Sequence, residues 1–283
     1  MTKIISDSTC DLSEELLEKY DISILPLHII LGMEEYSDGV NISPEKIYEW
    51  SDKNKTTPKT SAVSLMEAVE ILKPYVEKKT EVVCFSISSS MSTTGNVMRM
   101  AAEELEAQNL IRVIDSENLS TGVGLLVIEA AIMAQNGKSA AEIAEKIEKE
   151  RKYVRASFVV DTLTYLYRGG RCNAVSALAG GVLKLHPMIV VKDGKMGVAK
   201  KYRGKIDHVI MSYVKDMEED LRKAKKDRVF ITHSGCDRET VNAVREYLKS
   251  LDIFDEILET RAGGVVSSHC GPGTLGVLYI ESE

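Results

Sequence analysis

EVVCFSISSSMSTTGNVMRMAAEELEAQ, residues 81–108, is the stretch that sets the fold class. Its first seven residues, Glu81–Ile87, form an apolar, β-branched run of strand length. A hydroxyl-rich loop follows over Ser88–Thr94, and a helical pattern then continues to about Gln108. Strand, polar loop and helix in that order make half of a parallel β-α-β unit.

The same rhythm extends to both sides. Lys3–Ser6 reads as a strand, and Asp11-x-x-Glu14 as a capping box that opens a helix over Glu14–Tyr20. Ser23–Leu31 is a second apolar run, broken at Pro26. Ser43-Pro44 is an N-cap with proline at the first helical position, and Ser64-x-x-Glu67 caps another helix. Leu110–Asp115 is a strand, and Val123–Gln135 a helix that Asn136-Gly137 ends. These elements predict a doubly wound, mostly parallel α/β sheet with helices on both faces, over residues 1–152.

Residues 153–283 follow a different pattern. Val154–Val160 reads as a strand, and Asp161–Arg171 as a short helix stopped by paired glycines. Ala174–Leu185 is a small-residue helix, and the small side chains of Ala174–Val182 suit equally the lining of a bound ligand and close packing against a neighbouring helix or sheet. Met188–Val198 contains Asp193-Gly194, a hairpin turn signal. A long charged helix is expected over Lys205–Lys226, before Arg228–His233, Glu239–Leu251 and Leu275–Glu281 alternate again. The expectation is an α+β domain of split β-α-β type, with the boundary near Glu150–Tyr153.

At 283 residues the chain is long enough for two domains, each of about 150 residues. Its 36 basic and 43 acidic residues give a net charge of -7, which argues against a nucleic-acid partner. With 44% apolar and 28% charged residues the chain is too apolar for disorder. No apolar run reaches the roughly 18 residues of a membrane span, and the first residues carry no export signal. The five cysteines are odd in number and scattered, as expected of reduced thiols in a cytoplasm.

Several motifs fail on their context. Gly271-Pro272-Gly273-Thr274-Leu275-Gly276 has dinucleotide-fingerprint spacing, but a strand follows where a helix N-terminus is needed. Gly137-Lys138-Ser139 ends like a phosphate-binding loop, yet Ile132 stands where the first glycine belongs; Gly137 ends one helix and Ser139-x-x-Glu142 is a capping box for the next. His233, Cys236, His269 and Cys270 offer nitrogen and sulfur ligands, but their spacing does not favour zinc and no metal is expected. No G-x-S-x-G elbow marks a serine hydrolase.

Three hydroxyl clusters fall where strands end: Ser6-Asp7-Ser8-Thr9, Thr60-Ser61 and Ser88–Thr94. In an open parallel sheet, ligands bind beyond the carboxyl ends of the strands. Hydroxyls there can donate to a carboxylate without setting a full positive charge beside it. The last cluster also precedes a helix, whose free N–H groups favour an anion.

On these residues the chain resembles the DegV family, the fatty-acid-binding subunits of bacterial fatty acid kinase. Ile5-Ser6-Asp7-Ser8-Thr9-Cys10-Asp11-Leu12, Thr60-Ser61-Ala62-Val63-Ser64 and Ser88–Gly95 are similar to its motifs in order. So are Val113-Ile114-Asp115-Ser116 with Ser120-x-Gly122-x-Gly124, Leu163-x-Tyr165-Leu166-x-Arg168-Gly169-Gly170-Arg171, and His269-x-Gly271-Pro272-Gly273-x-Leu275-Gly276. The resemblance implies a carrier without its own ATP site. A long-chain fatty acid would lie between the domains, its carboxyl held by Thr60 and Ser92, with Ser61 adjacent and His269 assisting. An ATP-binding kinase subunit would then form the acyl phosphate, with Arg171 and Arg203 as candidate docking bases. The family pattern is altered at Ala62, Val63 and Met91, and Thr93 replaces the glycine that usually follows the carboxylate-binding serine. A rival reading is a small-molecule hydrolase or acyl-transfer enzyme using Ser92 with His269. The net acidity offers no strong attraction to anionic lipid, so membrane contact is expected to be transient at most.

Overall fold

Strand β1 (Lys3–Asp7) and β6 (Val82–Ser86) occupy the middle of a parallel sheet, flanked by β2 (Ile22–Leu25) and β7 (Ile111–Asp115). The structure, a computed structural model, describes residues 1–171 and 185–282. The expected small-residue helix at 174–185, with its candidate lining segment Ala174–Val182, lies outside the described residues but for Leu185, which begins a strand.

Successive β6 side chains point to opposite faces, and both faces are covered, so the strand reads as a continuous apolar run. Val82 and Cys84 pack with helices α3 (Leu65–Glu77) and α4 (Thr94–Glu104). Val83 and Phe85 face α5 (Thr121–Gln135) and α6 (Ala140–Glu150). The boxes at Ser64/Glu67 and Ser139/Glu142 form as the spacing predicts.

The box expected at Asp11 does not form. Helix α1 (Glu14–Lys19) is capped by Ser13, whose hydroxyl accepts from Leu16 N. Asp11 ends a short 3-10 turn, Ser8–Cys10, in left-handed backbone (φ 50°) and is buried. A small antiparallel sheet, unforeseen in the sequence, consists of β3 (His28–Leu31) between β4 (Glu34–Ser37) and β5 (Lys59–Ser61). Helix α2 (Pro44–Asn54) starts at the Ser43 cap as expected.

The second sheet is mixed, in the order β10-β9-β8-β13-β11-β12. Its strands are β8 (Val154–Val159), β9 (Leu185–Lys192), β10 (Lys195–Arg203), β11 (Ala224–His233), β12 (Glu256–Arg261) and β13 (Leu275–Glu281). Only β11 and β12 pair in parallel. Short α7 (Thr164–Gly169) ends at Gly170, whose φ of 66° suits glycine. The long helix expected over Lys205–Lys226 is broken. Helix α8 (Ile206–Asp216) stops at Met217, α9 (Glu218–Leu221) adds one turn, and Ala224 already pairs with Glu281.

Helix α10 (Arg238–Ser250) covers β11 and β12, and α11 (Gly264–Cys270) leads into β13. Apolar all round, α5 packs against strands of both sheets, which is why it lacks the polar face of a surface helix. Helix α11 belongs to the second half of the chain but lies on α2, β3 and β5 of the first, with Val265 in their core.

Candidate ligand-binding site

Thr60 comes to the site on β5, opposite Ile29 of β3, and His269 comes on α11. The Thr60 hydroxyl and His269 Nε2 are 2.8 Å apart. His269 Nδ1 is buried with no hydrogen-bond partner among the described residues, packed over Gly169. A Cβ at Gly169 would fall 2.3 Å from that nitrogen. Burial, with the positive charge of Arg171, pushes the imidazole down to about 4, so it is neutral at pH 7. An orphaned buried N–H costs more than an idle lone pair, which assigns the proton to Nε2. Nε2 then donates to Thr60, and the Thr60 hydroxyl is left to donate onward.

The serine-rich loop brings Ser92. Turn bonds from Met91 N and Ser92 N to Ser88 O wind the loop back before α4 begins. The Ser92 hydroxyl lies 2.9 Å from that of Thr94 and accepts from Thr94 N. The loop is clasped from the second sheet: Ser88 and Ser90 both donate to Gly194 O at the tip of the β9–β10 hairpin. That tip has Asp193 and Gly194 at positive φ, as the turn signal predicts.

Thr60, Ser61, Ser92, Thr93, His269 and Arg171 line one cavity of about 420 Å3, within the usual range for a small-molecule site. Its remaining walls are chiefly apolar, including Leu27, Ile87, Met91, Leu119 and Val266. Arg171 is exposed and donates to Gly169 O at 2.8 Å. Arg203 does not line the cavity; it is exposed at the end of β10. The first hydroxyl cluster also stands apart: Thr9 donates to Asp7 at 2.5 Å and Ser8 to Asp38 at 2.8 Å. Thr93, in place of the family's glycine, is exposed and makes no side-chain cap for α4.

One cavity thus combines the hydroxyl and imidazole donors an anionic head can use with the apolar wall a tail can use. A nucleophilic serine would need a base within hydrogen-bond reach. Ser92 pairs with Thr94 and the imidazole with Thr60, so the two do not form a Ser–His couple. His233 Nδ1 accepts from Gly235 N and Cys236 N. Among the described residues, no three His, Cys, Asp or Glu side chains stand close enough to hold a metal, and no helix is long and apolar enough to cross a membrane.

Sequence reading expected His269 at the ligand but missed Gly169 as the floor beneath it and the helix that carries it. The paired glycines at 169–170 were the available signal, but they read first as a helix stop.

Comparison with known proteins places the chain. The family model described as "Uncharacterised protein, DegV family" matches residues 1–282, and the chain belongs to that family. A DegV domain-containing protein of Clostridium perfringens is 32% identical over 279 residues, covering 99% of this chain and 98% of its own. Among solved structures, a fatty-acid-binding DegV family protein of Thermus thermophilus superposes with a TM-score of 0.91 at 28% identity, covering 99% of each chain. A stearic acid-binding protein of Eubacterium ventriosum gives 0.86 at 31% identity, covering 99% of this chain and 98% of its own.

Proposed function

We propose that this DegV family member binds a long-chain fatty acid between its two halves and presents the carboxyl to a separate ATP-dependent kinase subunit. The observation that carries this reading is the cavity itself, lined chiefly by apolar side chains together with Thr60, Ser92 and His269. The similarity to solved proteins described as fatty-acid-binding supports it.

Thr60 donates to one carboxylate oxygen while His269 supports its hydroxyl, and Ser92 donates to the other. Ser61 stands beside them on β5. A C16-like tail buried at about 0.8 kcal/mol per methylene gains roughly 10 kcal/mol before ordering costs. Hydrogen bonds to the head keep the desolvation of the carboxylate from cancelling that gain. Direct bonds from hydroxyls, with Arg171 turned to Gly169 O, leave the carboxylate oxygens nucleophilic toward a phosphoryl group. Exposed Arg171 and Arg203 are the bases offered to the kinase.

The test is to denature the purified protein, extract it with organic solvent and identify what emerges by mass spectrometry. A near-stoichiometric long-chain fatty acid is expected. An empty extract, repeated after incubation with mixed fatty acids, would sink the proposal.

A further inference from the structure

Helix α11 is only seven residues long, too short to hold its place by its own hydrogen bonds. Its first N–H groups are taken by carboxylates from the other half of the chain. Gly263 N donates to Asp11 Oδ1 at 2.8 Å, and Gly264 N to Asp38 Oδ1 at 2.7 Å. Each carboxylate is fixed by a second bond, from Ser120 to Asp11 at 2.5 Å and from Ser8 to Asp38 at 2.8 Å. Ser8 is itself held by Leu27 N. Among the described residues neither carboxyl group has an ion-pair partner, and each is held by a serine hydroxyl together with the N–H groups of the helix end.

The glycines match the aspartates. A Cβ at Gly263 would fall 3.1 Å from Asp11 Oδ1, and one at Gly264 would fall 2.9 Å from Asp38 Oδ1 and 2.5 Å from Ile29 Cδ1. The close approach therefore requires two side chains to be absent and two to be present. His269 lies five residues beyond Gly264, about 7–8 Å along the helix axis. A shift at the capped end is carried rigidly to the imidazole and its bond to Thr60.

From this juxtaposition we infer that Asp11 and Asp38 are positioning residues for the ligand site: by capping Gly263 and Gly264 they fix α11, and through it set His269 against Thr60. The inference rests on the fatty-acid reading above for its affinity arm.

Palmitate dissociation constants of delipidated wild type and variants, together with ¹⁵N-imidazole titrations of His269, provide the test. Asp38→Ala is expected to weaken palmitate by about tenfold or more and to let the His269 pKa climb toward its ordinary 6.5. Asp38→Asn keeps an acceptor for Gly264 N and is expected to stay within about threefold of wild type. In a His269→Ala background, Asp38→Ala should cost less than about twofold, because the group it positions is gone. Asp38→Glu retains the charge but displaces the acceptor, and serves if the alanine variant does not fold. Unchanged palmitate affinity and an unchanged His269 titration in the alanine or glutamate variant would overturn the inference. So would a full loss persisting without His269. Failure of wild type to bind palmitate would fall on the fatty-acid reading instead, and the His269 titration would still decide the positioning role.

Discussion

The two ends of α11 handle carboxylates in opposite ways. At the first end, Asp11 and Asp38 are permanent, buried partners of backbone N–H groups, and glycines clear the space for them. At the other end, the cavity offers a carboxylate the hydroxyls of Thr60 and Ser92 and a neutral imidazole. Backbone N–H groups cannot turn away, so they suit an acid that never leaves. Hydroxyls can pair with neighbours, Thr60 with His269 and Ser92 with Thr94, and then turn to an incoming acid without leaving a buried group unsatisfied. Structure and reversible binding thus call for different donors at two ends of the same short helix.

The contrast breaks most completely at Gly169. Because a Cβ there would overlap His269 Nδ1, Gly169→Ala must drive the imidazole from its seat. Palmitate affinity is expected to fall by about 100-fold, matching the loss in His269→Ala, while α7 and the sheets keep their circular dichroism. Calorimetric titration checks it; a variant that binds as wild type would show that the imidazole seat does not matter.

Next in size are the hydroxyls. Hydrogen bonds to a charged group contribute about 1.5–3 kcal/mol each, so Thr60→Val and Ser92→Ala should each weaken palmitate by roughly 10- to 100-fold. Thr60→Val should be the worse, since it also strips His269 Nε2 of its partner. The same titrations with a methyl ester, which has no charge to assist the bond, should reduce the gap between wild type and variants.

The two ends should also tilt stability in opposite directions with pH. Burial pushes Asp11 up to about 8 from an ordinary 3.8, and raises Asp7 and Asp38 as well. A raised carboxyl contributes stability fully below its unfolded value and loses it as pH climbs through the folded one. The acidic end therefore loses stability between about pH 4 and pH 8, chiefly through Asp11. His269, pushed down to about 4, contributes above its ordinary 6.5 and loses that stability as pH falls. The two windows overlap: between about pH 4 and 6.5 the contributions oppose each other, and above 6.5 only the Asp11 loss remains. The thermal unfolding midpoint should therefore fall by several degrees from about pH 6.5 to pH 8. Asp11→Asn should remove the fall above about pH 6.5, and His269→Gln should uncover a fall between about pH 4 and 6.5 that the imidazole masks in the wild type. A His269→Gln profile that keeps the wild-type shape would show that the imidazole does not titrate against the acidic end.

Much of this molecule was legible where local signals met no distant competitor. The boxes at Ser64 and Ser139 bond within their own turns, and the apolar runs of β1, β6 and β7 needed only their period. Asp11 was misread because Asp11-x-x-Glu14 and Ser13 both offer caps; Gly263, far along the chain, claims the aspartate and leaves the helix to Ser13. Likewise Lys205–Lys226 carries a helical pattern, but pairing of Ala224 with Glu281 draws the last residues into β11. Helix α11, with one glycine, two valines and two serines among its seven residues, has little intrinsic helix propensity, so its existence is decided by what caps and buries it. The hydroxyl clusters pointed to an anion, and two of the three reach the cavity. The assignment of Thr60, Ser92 and His269 came from the family resemblance, since nothing in their spacing brings β5, a loop and α11 together.

The smallest effect tests whether the cavity end of the comparison extends past α11 to the β9–β10 hairpin. Ser88 and Ser90 share one acceptor, Gly194 O, and Met196, two residues on, lines the cavity. Removing one of two donors to a carbonyl costs about 1 kcal/mol or less, because Ser88 keeps the tip satisfied. Ser90→Ala should therefore weaken palmitate by less than about fivefold, and mainly by faster release as the hairpin loosens. Stopped-flow displacement separates the two rates. A loss as large as that of Thr60→Val would mean that closure by the hairpin sets affinity, and the donors around His269 would then merely orient a carboxylate that the hairpin retains.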